Sequence, residues 1–165
     1  MEEVFLKAEE EFLNNNNFAI ATVIKTSGST PQKPGAKLLV KNDKTAIGTL
    51  GGGCVEGDIW FAASEMLKNK TDSEMKEYEL NEELAAEDGL VCGGTMFFLL
   101  DNINKSESLK KYNQEIISAY NGGSSVSLAT LVKKPITSLA KIGDKILIRE
   151  NKSSSGTLGD EILDN

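Results

Sequence analysis

Hydrophobic positions recur along the chain at two spacings, and these spacings predict where the helices and strands lie. Residues 2–13 place Phe5, Ala8 and Phe12 on one helical face, and the asparagine run that follows ends this helix. Further helices with one apolar face are predicted over about residues 54–68 and 107–120. The spacing thus indicates amphipathic helices, each with one face to bury against another layer.

The segments between these helices are rich in β-branched and aromatic residues. Runs at 18–26, 36–41 and 45–50 predict short strands, and two prolines mark the loop over 29–35. A further strand is expected near 75–80, followed by a short acidic helix that ends at Gly89. The stretch VCGGTMFFLLDNI (91–103) is almost continuously apolar over 94–101. This pattern is typical of a strand buried on both faces, so we expect it at the centre of a sheet.

The last part of the chain resembles an earlier part. Residues 18–57 align without gaps with residues 126–165 at a constant offset of 108, with 12 identities in 40 columns. Three separated glycine columns and the tetrapeptide GTLG (48–51 and 156–159) match at this one offset, which favours a duplication over chance similarity. After GTLG the first copy reads GGCVEG and the second DEILDN, so only the first copy has further glycines and a thiol.

Length and repeat together predict the domain organisation. A chain of 165 residues can form one domain with a substantial core. We expect a single domain over 1–165, built from two pseudo-symmetric halves at about 1–104 and 105–165. The expected fold class is α/β of the α+β kind, with a mixed sheet, helices and an internal duplication of the strand-rich unit.

Charge and composition exclude several kinds of function. The net charge is −7 and the 18 Lys and Arg residues are scattered, so a nucleic-acid partner is not expected. No apolar run approaches the roughly 20 residues that span a bilayer, and the N-terminus is no export signal, so we expect a cytoplasmic protein without a membrane partner. The chain has no histidine, which excludes Ser-His and Cys-His nucleophiles and histidine metal ligands.

The stretch GTLGGGCVEGDI (48–59) is the main candidate for chemistry. Gly51, Gly52 and Gly53 precede a predicted helix, where backbone N–H groups and the positive helix end bind anions, although the bare pattern fits a simple tight turn somewhat better. Cys54 lies at that helix start, which favours a reactive thiolate; the alternative is a small buried residue. Glu56 is either a proton or ligand acceptor, or a carboxylate that complements the helix dipole.

Two other segments carry candidate residues. Cys92 precedes Gly93 and Gly94 at a turn into the apolar strand, so each cysteine of the chain adjoins a glycine-rich turn. Two cysteines are too few for a disulfide framework, and both are expected to be free thiols. Ser29 and Thr30 lie in a polar loop that suits a polar ligand, as any such loop would.

Taken together, ATVIKTSGSTPQKPGAKLLV (21–40), IGTLGGGCVEGDI (47–59) and VCGG (91–94) resemble the XdhC/CoxI family. Members of this family are accessory proteins for maturation of xanthine dehydrogenase and related molybdenum hydroxylases. The resemblance implies a chaperone more than a catalyst. It implies transient binding of the molybdenum cofactor, molybdopterin, which we do not expect to remain on the purified protein, and assistance with its sulfuration and insertion.

The resemblance also implies roles for the candidate residues. Gly51, Gly52 and Gly53 would contact phosphate or oxo ligands, and Cys54 would handle sulfur or contact molybdenum. The remaining candidates divide into two sets: Ser29, Thr30 and Glu56 would donate or accept ligand hydrogen bonds, and Cys92, Gly93 and Gly94 would close the pocket. Implied partners are an apo molybdenum hydroxylase and a cysteine desulfurase.

This chain ends at Asn165, whereas typical family members continue into a Rossmann domain. We therefore expect that domain on a separate chain, or not at all, and we expect a homodimer or docking with another chain. Two other functions fit the same residues. One is a thiol-dependent sulfurtransferase that carries a persulfide on Cys54; the other is a structural or regulatory subunit that binds no ligand.

Overall fold

The fold consists of helices packed on two antiparallel sheets, as seen in a computed structural model that describes residues 2–80, 93–103, 106–134 and 138–164. The elements in chain order are α1 (Glu2–Leu13), β1 (Phe18–Gly28), β2 (Lys37–Lys41), β3 (Ala46–Gly48), α2 (Gly53–Asn69), β4 (Glu74–Glu79), β5 (Gly94–Ile103), α3 (Glu107–Tyr120), β6 (Val126–Thr130), β7 (Lys145–Arg149), β8 (Ser154–Thr157) and α4 (Glu161–Asp164).

The larger sheet has five strands in the order β3-β2-β1-β5-β4 and is covered on both faces. Because side chains alternate along a strand, Ala19, Ala21 and Val23 of β1 face α2, while Phe18 and Ile20 pack on the side of α1. The core on the α2 side includes Leu50, Ile59, Phe98 and Leu100, all fully buried. Burial of β5 on both faces, expected from its apolar run, is confirmed. The middle position is nevertheless taken by β1, with β5 beside it.

The smaller sheet, β6-β7-β8, has the same strand order as β1-β2-β3. Ala21 pairs with Leu38 in the larger sheet, and Ala129 pairs with Ile146 in the smaller one, so the register is also the same at the offset of 108. We call β1–β3 and β6–β8, with the turn after each, the first and second three-strand units.

The sequence predicts most of these elements closely. The α+β class is confirmed, and α1, α2 and α3 lie where the apolar periodicity predicts them. The expected mixed sheet is instead antiparallel at every pairing of the described strands. The acidic helix expected to end at Gly89 lies outside the described residues. Within the described ranges, no helix has both the length and the apolar character needed to cross a membrane.

Candidate functional site

Three of the segments singled out in the sequence meet at one end of the larger sheet. Gly28 at the end of β1 pairs with Gly94 at the start of β5, and a Cβ on Gly94 would lie only 2.5 Å from the carbonyl oxygen of Ser29. A Cβ on Gly51 would lie 2.6 Å from Cβ of Pro31. Glycine is therefore required at these contacts, because any side chain would force the segments apart.

The triglycine turn has a backbone that only glycine adopts readily. Gly51, Gly52 and Gly53 all have positive φ, at 109°, 75° and 64°. A Cβ at Gly52 or Gly53 would meet nothing within 4 Å, in contrast to Gly51. Glycine is therefore needed at these two positions for the positive φ, and the space in front of the turn is open.

Helix α2 begins at Gly53, next to this open space. It has 17 residues, and Gly52 at its N-cap supplies no side-chain hydrogen bond to the helix. The first N–H groups of a helix have no partner within it and carry partial positive charge, so Gly53 and Cys54 present donors to an acceptor in front of the turn. Cys54 is exposed and is a free thiol. The arrangement suits an anion held beside a soft sulfur ligand.

The Glu56 carboxylate stabilises the turn by accepting hydrogen bonds from the residues that form it. Its Oε2 accepts hydrogen bonds from the N–H of Leu50 at 2.7 Å, from Oγ1 of Thr49 at 2.8 Å and from the N–H of Gly52 at 3.2 Å. Partial burial raises the pKa of Glu56, but these hydrogen bonds outweigh it, so the pKa is lowered overall. Because Gly52 donates to Glu56, and Gly51 donates to Thr49, their N–H groups are already engaged in the turn.

The second three-strand unit contains the same carboxylate network. Asp164, at the position equivalent to Glu56, accepts from Oγ1 of Thr157 and from the N–H of Leu158, and Gly159 donates to Thr157. The network therefore recurs in a turn that has neither the extra glycines nor the cysteine. We infer that Glu56 shapes the turn. Thr49 was missed in the sequence, although the repeated GTLG with a carboxylate at both 56 and 164 is the signal for it.

Neighbouring side chains from α2 and β4 lie beside Cys54. The hydroxyl of Tyr78 on β4 donates to Oδ2 of Asp58 at 2.9 Å. Burial, this hydrogen bond and the charges of Asp58 and Cys54 raise the pKa of Tyr78 to about 12, so it stays a neutral phenol near neutral pH. A carboxylate one helical turn after Cys54 and a phenol of β4 thus lie near the Cys54 thiol.

The other predicted site residues are placed as follows. Ser29 is exposed, and Thr30 donates from Oγ1 to the carbonyl oxygen of Gln32 at 2.9 Å, which holds the loop. Gly93 is exposed beside the loop, next to Gly94. Cys92 lies outside the described residues. Within those residues no group of three or more cysteine, aspartate or glutamate side chains is arranged to hold a metal ion.

Comparisons with known proteins associate this site with a family. Residues 13–79 match the model of the XdhC and CoxI family. A Bacillus subtilis protein, named as a probable subunit of xanthine dehydrogenase, is 27% identical over 110 residues, which cover 66% of this chain and 32% of that protein. The expected resemblance to the XdhC/CoxI family is confirmed, and the matched segment contains the triglycine turn, Cys54 and Glu56.

A solved structure shows the same fold. It is described as a xanthine dehydrogenase from Bacillus halodurans, with a TM-score of 0.66 and 23% identity over 92% of this chain. The chain spans about a third of the curated relative's length and 44% of the solved one.

Proposed function

We propose that this XdhC/CoxI-like chain binds the molybdenum cofactor at the start of α2 and assists the maturation of a xanthine dehydrogenase-type hydroxylase. The family match and the relative named as a probable xanthine dehydrogenase subunit support an accessory role toward such an enzyme. Cofactor binding, sulfuration and insertion are the finer steps of this proposal. This role would be that of a chaperone, which holds the group and passes it to the enzyme.

The observation that carries the proposal is the difference between the two turns. Gly52, Gly53 and Cys54 open the first turn, whereas Asp160, Glu161 and Ile162 occupy the equivalent positions of the second. Two carboxylates at those positions would repel an anion, and the aliphatic residue has no affinity for a metal. The second unit therefore has the same scaffold without the chemistry, which supports a ligand role for the first.

The residues present fit the group. Molybdopterin has a phosphate, a polar pterin and, when metallated, an oxo-metal centre held by a dithiolene. The N–H groups of Gly53 and Cys54 at the positive end of α2 suit its phosphate or an oxo ligand. The exposed Cys54 thiol is a soft ligand or sulfur acceptor. Ser29, exposed in the adjoining loop, is positioned to form hydrogen bonds with a polar ring.

The proposal extends to partners. An apo-hydroxylase receives the cofactor, a cysteine desulfurase supplies sulfur, and a second copy of this chain completes the assembly. Exposed apolar side chains of the second unit support a docking face there, since Leu139 is 96% and Ile148 is 41% exposed.

The test compares Cys54→Ser with Ile162→Ser, the matched change at the equivalent position of the second unit. Both variants and the wild type are purified and incubated with molybdenum cofactor released from a molybdoenzyme, and bound cofactor is then measured by native mass spectrometry and by the fluorescence of the released, oxidised pterin. We expect Cys54→Ser to fold normally and to lose most of the cofactor, with Ile162→Ser unchanged. Bound cofactor should also slow alkylation of Cys54.

Other outcomes identify the alternative functions. Equal cofactor content in all three proteins would remove Cys54 from the site. Absence of any cofactor, together with Cys54-dependent turnover of a small sulfur donor, would replace the proposal with a sulfurtransferase. Absence of both would leave a structural or regulatory role.

A further inference from the structure

A cavity of about 710 Å³ lies between the larger sheet, α1, α3 and the second three-strand unit, away from the triglycine turn. Most of its lining is apolar, including Phe5, Phe12, Ile103 and Ile116. Its volume falls within the range of about 300–1,000 Å³ typical of small-molecule sites. The motifs that carry the family resemblance do not account for this cavity, because they supply only a few of its lining residues.

The two three-strand units lie on opposite sides of this cavity, and each presents the equivalent face of its strands to it. The lining residues that correspond at the offset of 108 are Phe18, Ile20, Thr22, Ile24 and Lys37 from the first unit and Val126, Leu128, Thr130, Val132 and Lys145 from the second. The packing therefore brings two equivalent lysines into one apolar space.

One aspartate makes the two lysines different. Asp101 on β5 forms an ion pair with Nζ of Lys145 at 2.5 Å and also accepts a hydrogen bond from Ser73. Lys37 forms no ion pair with any carboxylate in the described part of the chain; its Nζ donates to Oγ1 of Thr22 at 3.0 Å. An ammonium has three donors, so Lys37 retains donor capacity directed at the cavity.

The surroundings of Lys37 destabilise the charged form of its side chain. Burial, followed by repulsion from Lys145, lowers its pKa to about 8, while Asp101 acts weakly in the opposite direction. The side chain is therefore still mainly protonated at neutral pH, and an added anion in the cavity would relieve this cost. A cation would be repelled by Lys37.

We propose that this cavity binds a small monocarboxylic acid with an apolar body, whose carboxylate accepts hydrogen bonds from Nζ of Lys37. The apolar lining takes up the body of the ligand, and Lys37 supplies a positive charge that no carboxylate among the described residues neutralises. A polyanion is disfavoured, because Lys145 is already neutralised by Asp101 and the remaining walls are largely apolar. This site is separate from the one proposed for the cofactor.

The experiment measures binding of decanoate and of 1-decanol to the full chain by isothermal titration calorimetry at pH 7. The variants are Lys37→Met, which removes the ammonium and keeps an unbranched side chain of nearly the same length, and Lys33→Met, which removes an exposed loop lysine as a matched control. We expect wild type and Lys33→Met to bind decanoate more tightly than 1-decanol. Lys37→Met should weaken decanoate binding about tenfold or more, which corresponds to about 1.4 kcal/mol, and leave 1-decanol unchanged.

A second variant locates the ligand. Ala119→Trp on α3 places a large ring at the wall of the cavity and should weaken binding of both probes. No binding of decanoate to the wild type, equal affinities of wild type and Lys37→Met, or unchanged binding in a folded Ala119→Trp protein would each overturn the proposal.

Discussion

The two three-strand units have the same backbone framework and differ in the residues that this framework positions. Gly48 and Gly156 both have φ of 100°, and Gly35 and Gly143 have φ of 97° and 95°. The β2–β3 and β7–β8 turns are also alike, since Thr45 donates to Asp43 as Ser153 donates to Asn151, at 2.9 Å from the backbone N–H in both. We propose that the two units arose by duplication.

The second unit therefore serves as an internal control for the first. Features found in both, such as the carboxylate at 56 and 164, are requirements of the scaffold. Features found in one, such as the run of positive φ over Gly52 and Gly53, the exposed Cys54 and the Lys37 ammonium bonded to Thr22, are where the two units differ in chemistry. Residues shared by the two units are therefore structural, and residues found in only one unit are the candidates for function.

The largest expected effect concerns the two lysines. Lys145→Met should destabilise the protein by about 3 kcal/mol, because it leaves Asp101 buried without its ion-pair partner. Lys37→Met should instead stabilise it by about 1 kcal/mol at pH 7, because it removes a charge whose pKa is lowered to about 8. Urea denaturation at pH 7 measures both.

The lysine effects also depend on pH with a defined sign. The folded state releases the Lys37 proton at about pH 8, before the unfolded chain does near 10.5, so this group makes wild-type stability rise with pH across that window. The advantage of Lys37→Met should disappear there. Equal effects of the two substitutions would show that the units do not differ at this position.

Alanine at the shared glycines gives the next largest effect. A Cβ on Gly48 would lie 2.2 Å from the carbonyl oxygen of Lys37, and one on Gly156 would lie 2.3 Å from that of Lys145. Gly48→Ala and Gly156→Ala should therefore each cost about 2 kcal/mol or more, since both also require positive φ. Thermal unfolding measures the loss. Gly122→Ala is the control for φ alone, because Gly122 has φ of 86° and open space around its Cα.

The carboxylates of the two turns should have the smallest effects, and similar ones. Glu56→Gln should cost about 1 kcal/mol at pH 7, and Asp164→Asn should also destabilise the protein, because each carboxylate accepts hydrogen bonds from its own turn. The folded-state pKa of both groups is lowered, so their contribution is present above the unfolded values and is lost as the pH falls through the folded ones.

Denaturation as a function of pH tests this point. The difference between wild type and Glu56→Gln should shrink as the solution is acidified below pH 4.5, the ordinary value for a glutamate. A difference that does not change with pH would contradict the hydrogen-bond assignment. A large effect at only one of the two turns would indicate that Glu56 has a role beyond shaping its turn.

Much of the secondary structure was readable in the sequence because it depends on local periodicity. The apolar spacing located α1, α2 and α3, and the constant offset identified the repeat. The candidate turn was found because three glycines and a cysteine are unusual together. The sequence does not show whether Glu56 accepts hydrogen bonds from the preceding loop, because a glutamate is common in the first turn of a helix in either case.

The sequence by itself determined most of the described secondary structure, the repeated sequence pattern and the chemical difference between the two turns, since these depend on the order of residues along the chain. Only the tertiary structure decided that β1 takes the middle of the larger sheet and that Asp101 pairs with Lys145 and not Lys37. The physical reason is distance along the chain. Residues 37, 101 and 145 are brought together by the packing of two sheets, and the choice of ion pair depends on separations of a few ångströms that no local pattern encodes.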